Sequence, residues 1–137
     1  MISRYLNHFR QSPGSVVFEP AVDANLTRID AELTSRNFSA IPGEYRNFLK
    51  LNDGLIFNGI EFYGSIPHYR EKKNYTFPNL ITVNEYYLNY DYFIRKLVIG
   101  RISENILLYD GAENVYSVTD RINPVSYTHL TLPTIRL

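Results

Sequence analysis

The chain has no cysteine, no tryptophan and a single methionine. Without cysteine there is no disulfide framework, no thiolate zinc site and no thiol nucleophile. A reducing, cytoplasmic setting is the expectation that fits. An excess of charge of one sign is missing as well: Lys+Arg number 14 and Asp+Glu number 14. The total therefore gives no broad attraction to nucleic acid or to an anionic membrane, and only a local patch could supply one. No apolar run approaches the ~20 residues of a membrane span, and MISRYLNHFRQSPGS at the start lacks the continuous apolar core of a signal peptide. The phosphate-cradling and nucleophile-elbow patterns GxxxxGK[ST], GxGxxG and GxSxG are absent. What the chain does have is aromatic surface: 12 Tyr and 8 Phe in 137 residues. That length suits one domain with a real core and is short for two.

The last residues stand apart. Val125 to Thr134 read VSYTHLTLPT, and GTC TCT TAT ACA CAT CTG ACG CTG CCG ACG is one back-translation. That string resembles a transposase-type sequencing-library adapter read in frame. The flanks agree: the adapter requires a preceding codon ending in CT, which Pro124 allows, and a following codon starting with A, which Ile135 allows. The adapter's next fixed bases encode Val and a stop, one residue beyond the last Leu. Residues 125–137 are therefore expected to be non-native and are set aside from the fold. The expectation is a single domain over residues 1–124, truncated at its C-terminus. Without Arg136 the net charge becomes −1.

Along the remainder, Ile2, Tyr5, Leu6 and Phe9 recur at helical spacing and Ser12-Pro13-Gly14-Ser15 ends that helix. Val16-Val17-Phe18 is a short apolar run. Leu26, Ile29 and Leu33 mark a second helix starting at Asp23. The clearest local signal is IPGEYRNFLKLNDG, Ile41 to Gly54. Pro42 opens a helix, Glu44 favours the positive end of its dipole, and Tyr45, Phe48, Leu49 and Leu51 form its buried face. Asn52-Asp53-Gly54 stops it. Next comes a hairpin turning at Asn58-Gly59, with Leu55, Phe57, Ile60 and Phe62 on one face. Ser65 to Asn79 reads as a long polar loop, Ile81-Thr82-Val83 as a strand, and Asn84 as the cap of a helix running toward Lys96. Strands at 97–100, 105–109 and 114–118 have short connections and form an antiparallel meander. Helices first and strands later predict an α+β fold.

The catalytic search is mostly negative. His8, His68 and His129 share no metal-ligand spacing; His129 lies in the suspected adapter, and His8 and His68 read as ordinary surface histidines. Asp110 and Glu113 flank Gly111, where a turn explains them more simply than a two-carboxylate hydrolase site does. Asp53 before Gly54 reads the same way. Tyr86, Tyr87, Tyr90, Tyr92 and Phe93 read either as core or as a recognition surface: helical spacing puts Tyr86, Tyr90 and Phe93 on one face, which core packing explains, and leaves Tyr87 exposed. Arg70-Glu71-Lys72-Lys73, with Tyr69 and Tyr75 around it, reads as a solvated loop with a weak nucleic-acid alternative.

The run IPGEYRNFLKLNDGLIFNGIEFYG, followed by LVIGRISENILLYDGAENVYSV, resembles the SUKH superfamily, closest to its YrhA-like branch. Pro42, Glu44, Tyr45, Phe48, Leu49, Asp53 and Gly54 take the places of that pattern, Asn58 and Gly59 extend it, and Gly100 belongs to the later match. The superfamily includes fungal cell-wall assembly regulators and many bacterial immunity proteins. The resemblance implies a twisted, mainly antiparallel sheet of about six strands flanked by N-terminal helices, with a C-terminal helix that this chain lacks. It also implies a role that is not enzymatic: binding a cognate toxin, often a nuclease, and blocking it by occlusion. A regulatory scaffold domain without a toxin partner is the alternative. No cofactor, metal, nucleic acid or membrane partner is expected. Contact residues do not transfer by motif. Tyr69, Arg70, Lys72, Lys73 and Tyr87 are the candidate contacts, because they combine expected exposure with anchor-type side chains.

Resequencing the locus from genomic DNA is expected to replace VSYTHLTLPT with different codons after residue 124. Finding that string continuous in the genome would overturn the adapter reading.

Overall fold

The computed structural model describes residues 15–120 and the backbone of residues 127–130; the helix expected over Ile2 to Phe9 lies outside them. Three helices occur in the described part: α1 (Asp23–Ser35), α2 (Gly43–Leu51) and the short α3 (Leu80–Glu85). The strands are β1 (Val16–Val17), β2 (Leu55–Phe57), β3 (Ile60–Phe62), β4 (His68–Arg70), β5 (Tyr75–Phe77), β6 (Lys96–Ile102), β7 (Asn105–Asp110), β8 (Val115–Asp120) and β9 (Tyr127–Leu130). One sheet runs β1-β2-β3-β6-β7-β8-β9, β4 and β5 form a separate hairpin, and every pairing is antiparallel. The fold is α+β, as expected.

The hairpin at Asn58-Gly59 forms in the expected register. Both residues take positive φ (43° and 79°), and Leu55 faces Phe62 while Phe57 faces Ile60. Register then sorts the sheet into two faces. Phe62, Gly100 and Leu107 lie across one face, and Glu61, Arg101 and Ile106 across the other. Helix α2 covers the first face: the Tyr45 and Phe48 rings pack 6.2 and 5.5 Å from Phe62, and Leu49 is fully buried. Pro42 caps α2 and Glu44 stands exposed in its first turn. Gly100 is needed where β3 and β6 meet, because a Cβ there would lie 2.3 Å from the Glu61 carbonyl oxygen.

Strand β6 is longer than its neighbour. Its pairing with β3 ends at Gly100, and a bulge follows at Ile99. The backbone groups left over on that edge are met by other segments. The carboxamide of Asn84 donates to the Leu80 and Val98 carbonyls and accepts the Val98 N–H at 2.8 Å. The Ile99 carbonyl accepts from the Tyr63 N–H at 3.0 Å. The buried Tyr45 hydroxyl has both the Ile99 and Tyr63 carbonyls within reach and one proton to share between them. Burial, then the nearby Asp53 carboxylate, pushes the Tyr45 phenol well above its ordinary pKa, so it stays a donor.

Three local expectations are corrected. The stretch 65–79 is not an open loop: β4, a single 3-10 turn (Glu71–Lys73) and β5 fold it into a hairpin, with Asn74 at φ 46° closing the turn. Ile81-Thr82-Val83 is helix rather than strand, and the cap is Asn79, whose side chain accepts from the Thr82 N–H. Asn84 lies inside that helix and serves β6. Residues 127–130, set aside above, pair with β8 as an edge strand. An open strand edge offers unpaired N–H and C=O groups to any strand-prone segment that follows, and Tyr-Thr-His-Leu is one.

Asn84→Ala is expected to destabilise the fold by about 2–4 kcal/mol, because it strands the buried Val98 N–H and carbonyl. Urea denaturation of the variant beside wild type measures this, and an unchanged midpoint would contradict it.

Candidate functional site

The helix after Asn79 ends at Glu85, short of the Lys96 expected. Beyond it the chain tightens: N–H groups of Tyr86, Tyr87, Leu88 and Tyr90 bond to the carbonyl three residues back, and Asp91–Phe93 forms a 3-10 turn. At three residues per turn, positions i and i+3 eclipse one another. Tyr87, Tyr90 and Phe93 therefore come together, with the Tyr87 ring 4.2 Å from Phe93 and the Tyr90 ring edge-on to it at 6.5 Å. This corrects the helical assignment for the tyrosines: Tyr86 and Tyr90 are 78% and 59% exposed and Tyr87 is half-buried, while Phe93 is buried as expected.

These side chains form one wall of a cleft of about 570 Å³ on the sheet face opposite α2. Val98 and Ile106 lie at its base, Glu61, Tyr63 and Arg101 beside them, and Tyr75 from β5 at its rim. The volume falls in the range of binding clefts. The polar groups at the base are tied together. Glu61 accepts from Arg101 Nη2 at 3.2 Å through one oxygen and from the Tyr63 hydroxyl at 3.0 Å through the other. The buried Arg101 Nε–H faces no acceptor within hydrogen-bonding distance. Burial, then Glu61, raises the pKa of both Tyr63 and Tyr75, so both phenols are neutral donors at physiological pH. The cleft thus offers neutral aromatic walls over an internally compensated ion pair.

The β4–β5 hairpin overhangs this cleft, and Asp53 anchors it. Asp53 is buried, and its Oδ1 accepts from the Ser65 N–H (2.7 Å) and hydroxyl (2.8 Å). Oδ2 accepts from the Ile66 N–H and lies 2.8 Å from His68 Nε2. Nε2 also lies 3.1 Å from the Asp53 carbonyl oxygen. Both neighbours are acceptors, so Nε2 carries the proton. Phe18 stacks on the imidazole at 4.3 Å. Gly64 allows the approach, since a Cβ there would lie 2.1 Å from the Asp53 carbonyl oxygen. His68 is therefore not a free surface histidine, and Asp53 does more than mark a turn. The two are 15 residues apart, and only the returning chain brings them together. Ser65, Asp53 and His68 do not form a nucleophile–base pair, because the serine hydroxyl donates to the carboxylate and not to the imidazole.

The remaining candidates divide. Paired residues in the hairpin share a face. His68 with Phe77 and Arg70 with Tyr75 face the body, while Tyr69 with Thr76 faces away. Arg70 thus shares a hairpin face with Tyr75, which lines the cleft, and Tyr69 does not. Lys72 and Lys73 stand exposed in the turn between the strands. Asp110 is an ordinary turn residue: its Oδ1 accepts the Ala112 and Glu113 N–H groups, and neither carboxylate lines the cleft. Glu61, Tyr63, Tyr75, Tyr86, Tyr90 and Arg101 line the cleft and were not among the candidate contacts. A period of three in Tyr87-x-x-Tyr90-x-x-Phe93 was the available signal for the aromatic wall.

Among the described residues no group of three metal-ligating side chains gathers, and no helix is long and apolar enough to cross a membrane. No protein-family model matches the chain, and no curated protein matches it.

Asp53→Asn leaves four donors facing one acceptor oxygen. It is expected to lower stability by about 1–3 kcal/mol and to shift the backbone amide resonances of residues 65–70 most. A destabilisation confined elsewhere would contradict the anchoring role.

Proposed function

We propose that this chain is an immunity-type protein that binds a cognate toxin domain and blocks it by occlusion, with no chemistry, cofactor or metal of its own. The observation that supports it most is the gathering of exposed tyrosines around one concavity. Tyr75, Tyr86 and Tyr90 stand at the cleft with much of their rings exposed. Tyrosine gives rigid contact area with a polar tip and loses little rotamer freedom on binding, which suits a contact surface. The second support is the SUKH-like pattern from Pro42 to Gly100. Its residues account for the scaffold: Tyr45, Phe48 and Leu49 bury α2, Asp53 anchors the hairpin, and Gly54 takes φ 109°. A stable inhibitory contact covers about 800 Å² on each partner, so the cleft alone is too small and the hairpin belongs to the surface. Such a protein works where its toxin acts, in the cytoplasm of the producing cell.

The test is co-expression. The toxin domain encoded beside this gene is expected to arrest growth when expressed alone and to leave growth unimpaired when this protein accompanies it. Arrest that persists with the folded protein present would sink the proposal.

A further inference from the structure

We infer that the cleft and the β4–β5 hairpin together form a docking site for an acidic segment of a partner protein, one that carries an aromatic or large apolar side chain. The inference rests on the partner-binding reading above and adds the chemistry of the segment that fits.

The two halves of the site select for different things. Inside the cleft, Arg101 is compensated by Glu61, and the surrounding rings are those of tyrosines and Phe93. An uncharged ring or aliphatic chain can enter without bringing an unpaired charge to the base, and Tyr75, Tyr86 and Tyr90 supply faces and edges against it. The hairpin above is not compensated. Arg70, Lys72 and Lys73 accompany a single carboxylate, Glu71, and none of the four makes an ion pair among the described residues. Arg70 is paired in register with Tyr75, which lines the cleft, so this charge stands beside the cleft on the hairpin that forms its lip. A segment seated with its anchor among the tyrosines would run its flanking residues beneath that lip. Carboxylates there meet complementary charge, and lysines there meet repulsion.

Nucleic acid fits less well. Its stacked bases would suit the rings, but three clustered cations do not make a track along a phosphate backbone.

Titration of the isotope-labelled protein with four probes tests this. They are a dodecapeptide of Asp and Gly carrying two Phe, its twin with Lys for Asp, its twin with Ala for Phe, and an oligo-dT dodecamer. The acidic aromatic peptide is expected to bind about tenfold or more tightly than each of the others. Its amide shifts should centre on residues 70–75 and 86–90, and added salt should weaken it. Lys72→Glu/Lys73→Glu and Tyr86→Ala/Tyr90→Ala change exposed side chains, and each pair is expected to weaken binding about tenfold. Equal binding of all peptides, tighter binding of the DNA, or shifts on the α2 face would overturn the assignment. The toxin assay separates the two readings. Rescue by both double variants as full as by wild type removes this site and leaves the immunity reading standing. Peptide binding at the cleft without toxin rescue does the reverse.

Discussion

Strand β6 is longer than the strand beside it, and much of the molecule is arranged around that mismatch. β3 offers three residues and β6 seven, so the half of β6 from Lys96 to Ile99 presents backbone groups that no strand meets on that edge. A buried backbone donor or acceptor without a partner costs about 1–3 kcal/mol, and here several stand in a row. Each is met by a different part of the chain. The Ser39 N–H bonds to the Lys96 carbonyl, Asn84 takes both groups of Val98, and Tyr63 and Tyr45 share the Ile99 carbonyl. The α1–α2 connection, α2, the end of β3 and α3 are thereby pinned to one stretch of backbone.

That pinning shapes the cleft. With Asn84 holding α3 against the edge of β6, the following turns lie over the sheet face opposite α2 but do not cover it. Val98 and Ile106 stay at the base of a cleft instead of beneath a full helix. The hairpin is placed by a second anchor of the same kind. One buried carboxylate collects the donors of Ser65, Ile66 and His68, and Phe77 packs 5.4 Å from the Tyr63 ring. Both anchors are polar side chains answering backbone or ring N–H groups, and the exposed tyrosines and cations are carried on what they hold.

How much of this was legible in the sequence follows from the range of the interaction involved. The Asn58-Gly59 hairpin, helix α2 with its stop, and the β6–β8 meander rest on neighbours in sequence or on a strict period, and their placement was readable. Asn84 looked like a helix cap because Asn caps helices, yet its partners are Val98 and Leu80, and nothing local distinguishes the two roles. Asp53 and His68 each looked ordinary alone. The tyrosine segment differs for another reason: the chain turns at three residues and not at 3.6, which sets Tyr86 and Tyr90 outward and Tyr87 inward while Phe93 stays buried. Of the five candidate contacts, Tyr87 lines the cleft, Arg70, Lys72 and Lys73 lie on the hairpin that brings Tyr75 to it, and Tyr69 faces away because of strand parity that a loop reading could not contain.

The charge of the hairpin also bears on how such a protein could inhibit. A nuclease binds its substrate through a basic groove, and a basic hairpin is repelled by it. A docking site of this polarity therefore suits an acidic surface beside such a groove better than the groove itself. Occlusion would then come from the bulk of the sheet and helices overhanging the substrate path, not from residues that imitate nucleic acid. The near-zero total charge of the chain fits the same view. An inhibitor that mimics phosphates needs a large excess of carboxylates, whereas one that docks by an aromatic anchor beneath a small basic lip needs only local complementarity and a rigid support, which β6 and its attached segments supply.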